Sequence, residues 1–238
     1  MSVTQALLEP LLSSGAPRPL VTHYDDATGA RVELSRLTVA NWAAKTANWL
    51  VDEADVEPGT AVAVALPPHW QTAGILLGAW WCGGHVVADP SGAEVAFAPA
   101  SDIGAGKGAR TVVGVGLDAL GGPARDLPDG VVDYATDVRV AGDEFSPLLP
   151  ISGGEPALLD STVDELVERA RERAAQLGIG DGDRVLSTLD WTLEGGVVDG
   201  LLAVLAGKGS LVQCANLDTG KLDKRRQDER TTVELGLG

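Results

Sequence analysis

An α/β fold built on parallel strands is expected for this chain of 238 residues, on three observations. Short apolar runs alternate with segments of helical periodicity, the pattern of repeated βα units. The run Trp70 to Cys82 is apolar nearly all round a helical circumference, so it belongs between layers rather than on a surface. Thr162 and Glu165 have the spacing of a capping box, in which each side chain satisfies a free backbone N–H at the start of a helix. With 45% hydrophobic residues the chain can bury a sizeable core, as one domain or two small lobes sharing an interface.

The elements follow in order. Leu20 to Tyr24 and the alternating stretch Arg31 to Ser35 flank a turn at Asp25 to Gly29 and predict a hairpin. A helix is expected from about Val39 to Glu53, with Val39, Trp42, Ala43, Thr46, Trp49 and Leu50 on one face. Its two tryptophans, both on that face, read as core. Glu57-Pro58-Gly59 ends this unit, Ala61 to Leu66 is an uninterrupted apolar strand, and Pro67-Pro68 stops it. Within the apolar helix that follows, Gly74 and Gly78 would let a neighbouring backbone approach closely. Gly83-Gly84 ends it, and His85 to Ala88 begins another strand.

The pattern weakens from Pro90 to Pro150, where short strands are expected at Glu94 to Ala98 and Thr111 to Val115. Prolines and paired glycines in Ser146 to Pro156 place a boundary there, between lobes of about residues 1–149 and 150–238. The second lobe opens with the capped helix, whose buried stripe is Val163, Leu166, Val167, Ala170, Ala174 and Leu177. A strand at Arg184 to Leu189, a helix at Gly195 to Ala206 and a strand at Ser210 to Gln213 come next. A charged helix from Leu217 to Glu229 leads to a last strand, Thr231 to Leu235.

Charge narrows the choice of partners. Thirty-four acidic residues against eighteen basic ones leave a formal charge of −16. Such a surface repels phosphate backbones and anionic headgroups, so neither nucleic acid nor a membrane is expected as a partner. Cys82 and Cys214 are too few for a disulfide framework, and Cys82 lies in an apolar run where it reads as a small buried hydrophobe. Met1 to Leu12 has no basic residue to suit a secretory signal, and a cytoplasmic location is expected.

Several motif-like stretches fail on inspection. Gly114 to Ala119 fits G-x-G-x-x-A, but Gly121-Gly122-Pro123 interrupts the long helix that a dinucleotide site requires. Around Gly106-Lys107 a phosphate-binding loop would need glycine at Ser101 and a hydroxyl at Gly108. His23, His69 and His85 are scattered without zinc-like spacing, so no metal site is assigned. No G-x-S-x-G elbow is present to support a serine hydrolase.

Several stretches resemble the AMP-binding, adenylate-forming superfamily of acyl-CoA synthetase-like enzymes. Val32 to Ser35 with Leu37 to Leu50 is similar to that family's early strand and helix, and Val56 to Val64 to its "GVxPGDxVAV" segment. Trp70 to Gly84 is similar to the next helix, Gly180 to Leu186 to a "GDRVL" strand, Gly200 to Leu211 to "LLxGaxlV", and Glu229 to Thr232 to "ERVT". Order and spacing hold from about Arg18 to Arg230. A group of short actinobacterial proteins resembling the amino-terminal part of these enzymes is the nearest in pattern. The resemblance implies three-layer αβα lobes like the amino-terminal domain of those enzymes, here in shortened form.

The same resemblance marks where this sequence departs. The family's phosphate-holding loop ends in Pro-Lys; here the stretch reads Ile151-Ser152-Gly153-Gly154-Glu155-Pro156-Ala157, with Ala157 in place of the lysine. Glu155 adds a negative charge, and like charges about 4 Å apart cost roughly 4 kcal/mol at an effective dielectric of 20. The family's adenine and magnesium motifs, hinge and catalytic lysine lie further along than Gly238. Ser152, Gly153, Gly154 and Trp191 are the candidate remnant of a nucleotide or acyl site. Trp191, at the position of an aromatic or histidine gate, either lines an acyl pocket or plugs the groove.

Three functions follow from these readings: a non-catalytic binding or regulatory protein, one subunit of a split adenylate-forming ligase, or unrelated chemistry grafted on the fold. The first is preferred, with a small acyl ligand or a weakly held adenine nucleotide and no assigned catalytic residue or cofactor. The last strand is expected to be an open sheet edge, covered by a second copy of the chain or by a partner protein.

Overall fold

The computed structural model describes residues 1–13 and 18–237. Two mixed sheets share one helical layer. The hairpin strands β1 (Pro19–Asp25) and β2 (Ala30–Ser35) lie in a five-stranded sheet with β10 (Arg184–Ser187), β11 (Ser210–Ala215) and β12 (Val233–Leu235), in the order β12-β10-β11-β1-β2. All neighbours pair in parallel except β1 with β2.

The second sheet takes β3 (Ala61–Val64), β4 (His85–Val87), β5 (Val95–Pro99), β6 (Thr111–Val115), β7 (Val132–Asp133), β8 (Pro156–Leu158) and β9 (Ser161–Thr162), ordered β7-β6-β5-β3-β4-β8-β9. Its strands are parallel apart from β9. The expected lobe boundary at 149/150 therefore does not coincide with sheet membership. The amino-terminal hairpin joins strands after residue 180, while β8 and β9 join strands before residue 134.

The two sheets are held by α3 (Arg36–Asp52), which packs on β1 and β2 and reaches β5 through Trp49 against Phe97, and by α4 (Trp70–Trp81), which packs on β1 and β4. Every residue of α4 is buried, as its uniformly apolar circumference requires. Its closest crossing is with α3, where glycine is needed: a Cβ on Gly78 would lie 2.5 Å from Thr46 Cβ and 2.7 Å from the Ala43 carbonyl oxygen. The expected stripe of α3 is buried at Val39, Ala43, Thr46, Trp49 and Leu50, and Trp42 packs half-buried against Trp70 and Tyr134.

Helix α6 (Val163–Gln176) begins with the complete capping box, Thr162 accepting from the Glu165 N–H and Glu165 from the Thr162 N–H. Two short helices that the sequence pattern did not announce, α1 (Val3–Leu7) and α2 (Glu9–Leu12), bury Val3, Leu7, Leu8 and Leu11. The Thr4 hydroxyl donates to the Leu77 carbonyl of α4 at 2.5 Å. The expected helix at 195–206 is a π-helical turn, Val198–Leu202, running into α7 (Ala203–Ala206).

Helix α5 (Tyr134–Val138) packs on α3 and β6. On the outer face of the five-stranded sheet lies α8 (Leu222–Glu229), where Leu222 meets Leu186, Val212 and Cys214. Here Arg225 makes a two-pronged bond to Asp26, at 2.7 and 3.2 Å, with its guanidinium 4.0 Å from the Tyr24 ring centre. Strand β12 is the outermost strand of its sheet. Among the described residues no helix is long and apolar enough to cross a membrane.

Candidate functional site

The parallel register of β1, β10 and β11 decides which side chains share a face. Val21, Leu211 and Val185 stand side by side on the inner face, and two residues further along so do His23, Gln213 and Ser187. The apolar core between the sheets thus gives way to a polar row at the carboxyl ends of these strands. From the other sheet, β3 ends below the same place, and Pro67-Pro68 leads to His69 at the start of α4. β3 is also where the strand order of its sheet reverses, with β4 on one side and β5 on the other. Crevices at carboxyl strand ends near such reversals are the usual ligand sites of open α/β sheets.

A cleft of about 370 Å³ lies here, lined among others by His23, Pro67, His69, Thr188, Asp190 and Gln213. Gln213 is 1% exposed and its Nε2 donates to the Leu189 carbonyl at 3.1 Å, but its Oε1 is buried without a partner. His23 is 4% exposed, and its Nδ1 is also buried and unpaired. Leaving a buried donor or acceptor unsatisfied costs about 1–3 kcal/mol, so two such atoms beside one cleft call for a ligand or ordered water.

His69 caps α4, its Nδ1 accepting from the Gln71 N–H at 3.1 Å, which leaves the neutral ring's proton on Nε2. The His23 and His69 rings meet edge to face at 4.5 Å. Burial lowers the His23 pKa to about 4 against the opposing pull of Asp25, and burial followed by the His23 charge lowers His69 to about 3. Both rings are neutral at neutral pH. Burial also pushes the Cys214 thiol up, away from nucleophilic thiolate.

Among the described residues no Lys or Arg lines this cleft, whereas Asp25 and Asp190 do. Asp25 is held by Asn216 and Thr28 at 2.8 Å each. The arrangement suits an uncharged polar ligand and disfavours a polyphosphate.

The residues singled out from the sequence lie elsewhere. Ser152, Gly153 and Gly154 form a closed turn ahead of β8, with the Glu155 N–H donating to the Ser152 carbonyl at 3.2 Å and the Asp164 N–H to the Gly153 carbonyl at 2.9 Å. The Ser152 hydroxyl donates to Glu155 at 3.3 Å. The Asp164 carboxylate occupies the place that a Cβ on Gly153 would take. Two carboxylates therefore crowd this turn. Ala157, at the position where the resemblance expects lysine, is buried in β8 beneath Trp80, whose indole N–H donates to its carbonyl at 2.9 Å.

Trp191 is 5% exposed and belongs to the main core. Its indole nitrogen lies 2.8 Å from where a Cβ of Gly200 would be, so it packs directly on the π-helical turn. Trp191 does not line the cleft, and the structure does not bring it into the polar row with His23 and Gln213. The sequence carried a signal for that row, His23 within the strand Leu20 to Tyr24 and Gln213 within the apolar strand Leu211 to Cys214. Separation by 190 positions hid the pairing.

No protein-family model matches the chain. A TIGR03089 family protein of Mycobacterium tuberculosis (strain ATCC 25618 / H37Rv) is 43% identical over 241 residues, covering 98% of each chain. The chain belongs to the TIGR03089 family.

Solved structures show what fold this TIGR03089 protein has. An acyl-CoA synthetase of Brucella canis aligns with 98% of the chain at a TM-score of 0.77 and 16% identity. ATP-bound MatB of Rhodopseudomonas palustris aligns with 99% at 0.73 and 16% identity. The N-terminal domain of FACL13 from Mycobacterium tuberculosis aligns with 98% at 0.67 and 15% identity. The TIGR03089 chain spans 47%, 49% and 62% of these three chains respectively. The α/β fold is that of the amino-terminal domain of acyl-CoA synthetase-like enzymes.

Proposed function

We propose that this TIGR03089 protein is a non-catalytic binding protein on an acyl-CoA synthetase-like scaffold, holding a small uncharged ligand in the cleft of His23, His69 and Gln213. The observation that carries the reading is the unpartnered Gln213 Oε1, a buried acceptor beside the cleft, which a ligand N–H or O–H would satisfy. His69 offers the complementary donor on Nε2. A nucleoside, an amide or an uncharged acyl derivative has the required donor and acceptor groups. An adenine nucleotide would bind through its base and sugar, since its phosphates find only carboxylates here.

The Ser152 to Ala157 turn is unsuited to catalysis. Adenylation needs a cation at the transferring phosphate, and this turn presents Glu155 and Asp164 with Ala157 buried behind them. A thermal-shift series with adenosine, AMP, ATP, CoA and short-chain amides tests the reading. Adenosine or an amide, which carry no phosphate, should raise the melting temperature, and Gln213→Leu should abolish that gain. No gain with adenosine or any amide, or a gain with them that survives Gln213→Leu, would overturn it.

A second reading rests on β12, the outermost strand of its sheet, whose free edge can accept another strand. On that reading the protein is one subunit of a split adenylate-forming ligase, or a homodimer, with the edge covered. Light scattering at high concentration and co-purification from the native host separate a monomer from either assembly.

A further inference from the structure

The opposite end of the five-stranded sheet carries a second cleft, of about 520 Å³, at the start of β1, β10 and β11. Six cations line it against four carboxylates. The whole chain has nearly two acids for each base, so this place reverses the composition of the molecule.

The carboxylates are all engaged. Glu33 pairs with Arg31 at 2.8 Å and Arg184 at 3.3 Å, and Glu229 pairs with Arg31 at 2.8 Å, with Arg184, and with the Tyr24 hydroxyl. Burial works to raise the Glu229 pKa, but the bonds from Arg31, Tyr24 and Arg184 outweigh it and hold the carboxyl at about 2. Asp183 takes the Gly180 N–H and the Thr232 hydroxyl, both at 2.7 Å, and Asp228 pairs with Lys224. Arg31 and Arg184 are thereby neutralised. Arg18, Lys208 and Arg230 are exposed and make no side-chain bond among the described residues.

Two of these three hold backbone conformations that favour glycine, Lys208 at φ 62° and Arg230 at φ 53°. Each closes a helix, α7 and α8, at a position where glycine is the ordinary choice. A cation at a helix carboxyl end gains from the helix dipole, which accounts for each charge by itself. It does not account for Arg18, which reaches the same cleft from the loop before β1. The uncompensated charge collects in the cleft.

We propose that this cleft binds a phosphate-bearing small molecule, gripped by Arg18, Lys208 and Arg230. The site is independent of the cleft at His23 and Gln213 and stands whatever binds there. Three cations around a cleft of this size fit one diphosphate or phosphate monoester, while the acidic remainder of the surface repels a long polyanion.

Titration calorimetry of the full chain with inorganic pyrophosphate and with inorganic phosphate tests the proposal. Saturable binding is expected, tighter for pyrophosphate and weaker at about 0.2 M salt than at about 0.02 M. In the Lys208→Gly, Arg230→Gly double variant the charges go while the backbone is relieved, so the melting temperature should hold or rise. Its pyrophosphate affinity should fall by about tenfold or more, whereas Lys208→Arg should retain it. Arg18→Gln, which alters no regular element, should weaken binding in the same direction. No saturable binding by the natural chain, or affinity unchanged in the double variant and in Arg18→Gln, would overturn the proposal.

Discussion

Gln213→Leu tests whether the polar row in the β1-β11-β10 face is kept for binding or for stability. The substitution removes the 3.1 Å bond from Nε2 to the Leu189 carbonyl, a net loss of about 1 kcal/mol for an ordinary hydrogen bond. It also removes Oε1, a buried acceptor with no partner, whose cost to the fold is about 1–3 kcal/mol. Leucine is close in size to glutamine, so little repacking strain is expected. The balance is a variant as stable as the natural protein or more stable by about 1 kcal/mol. Urea unfolding followed by tryptophan fluorescence, with six tryptophans as reporters, measures this directly. A loss of more than about 2 kcal/mol would refute the reasoning, because it would mean that Oε1 has a partner inside the fold and that the row is structural.

Three further outcomes follow from the packing and the charges. Gly78→Ala should lower stability by about 1–2 kcal/mol in thermal unfolding, the overpacking against Ala43 and Thr46 exceeding the gain in helix propensity; Gly74→Ala, whose tightest Cβ contact would be Trp42 Cβ at 3.2 Å, should cost less. Asp26→Asn should cost about 3–5 kcal/mol, since Asp26 and Arg225 are each 4% exposed and the change leaves a buried guanidinium unpaired; replacing both by apolar residues should recover most of that loss. Stability should fall as pH drops below about 6.5, because the unfolded chain then protonates histidines whose folded pKa values are about 4 for His23 and about 3 for His69. A second loss between about pH 4.5 and 2 should follow as Asp26 and Glu229, both held at about 2, are protonated. The variant His23→Gln, His69→Asn, which keeps a capping acceptor on α4, should flatten the first limb and leave the second.

Features that depend on local pattern were legible in the sequence. The all-round apolarity of α4, the Thr162 and Glu165 cap of α6, the hairpin of β1 and β2, and the close approach at Gly78 each follow from a few neighbouring residues. The order of segments also carried the likeness to acyl-CoA synthetase-like enzymes, which the structural alignments bear out for the fold. Sheet membership was not legible, because whether the hairpin joins β11 or β3 is decided by packing across more than 170 positions. The π-helical turn at Val198–Leu202 escaped for a related reason: it answers to Trp191 packing on Gly200, a contact between elements. The cleft was least legible of all. His23, Gln213 and His69 come from β1, β11 and the cap of α4, far apart in the chain, and each by itself reads as an ordinary buried polar residue.

The central claim, a binding scaffold without adenylating activity, is tested most directly by acid-dependent exchange of labelled pyrophosphate into ATP with the purified protein and a broad panel of carboxylic acids. The account predicts no exchange above background with any acid, because Glu155 and Asp164 stand where a phosphate cradle needs N–H groups and a cation. Exchange that depends on the acid supplied and disappears in Ser152→Ala would contradict it.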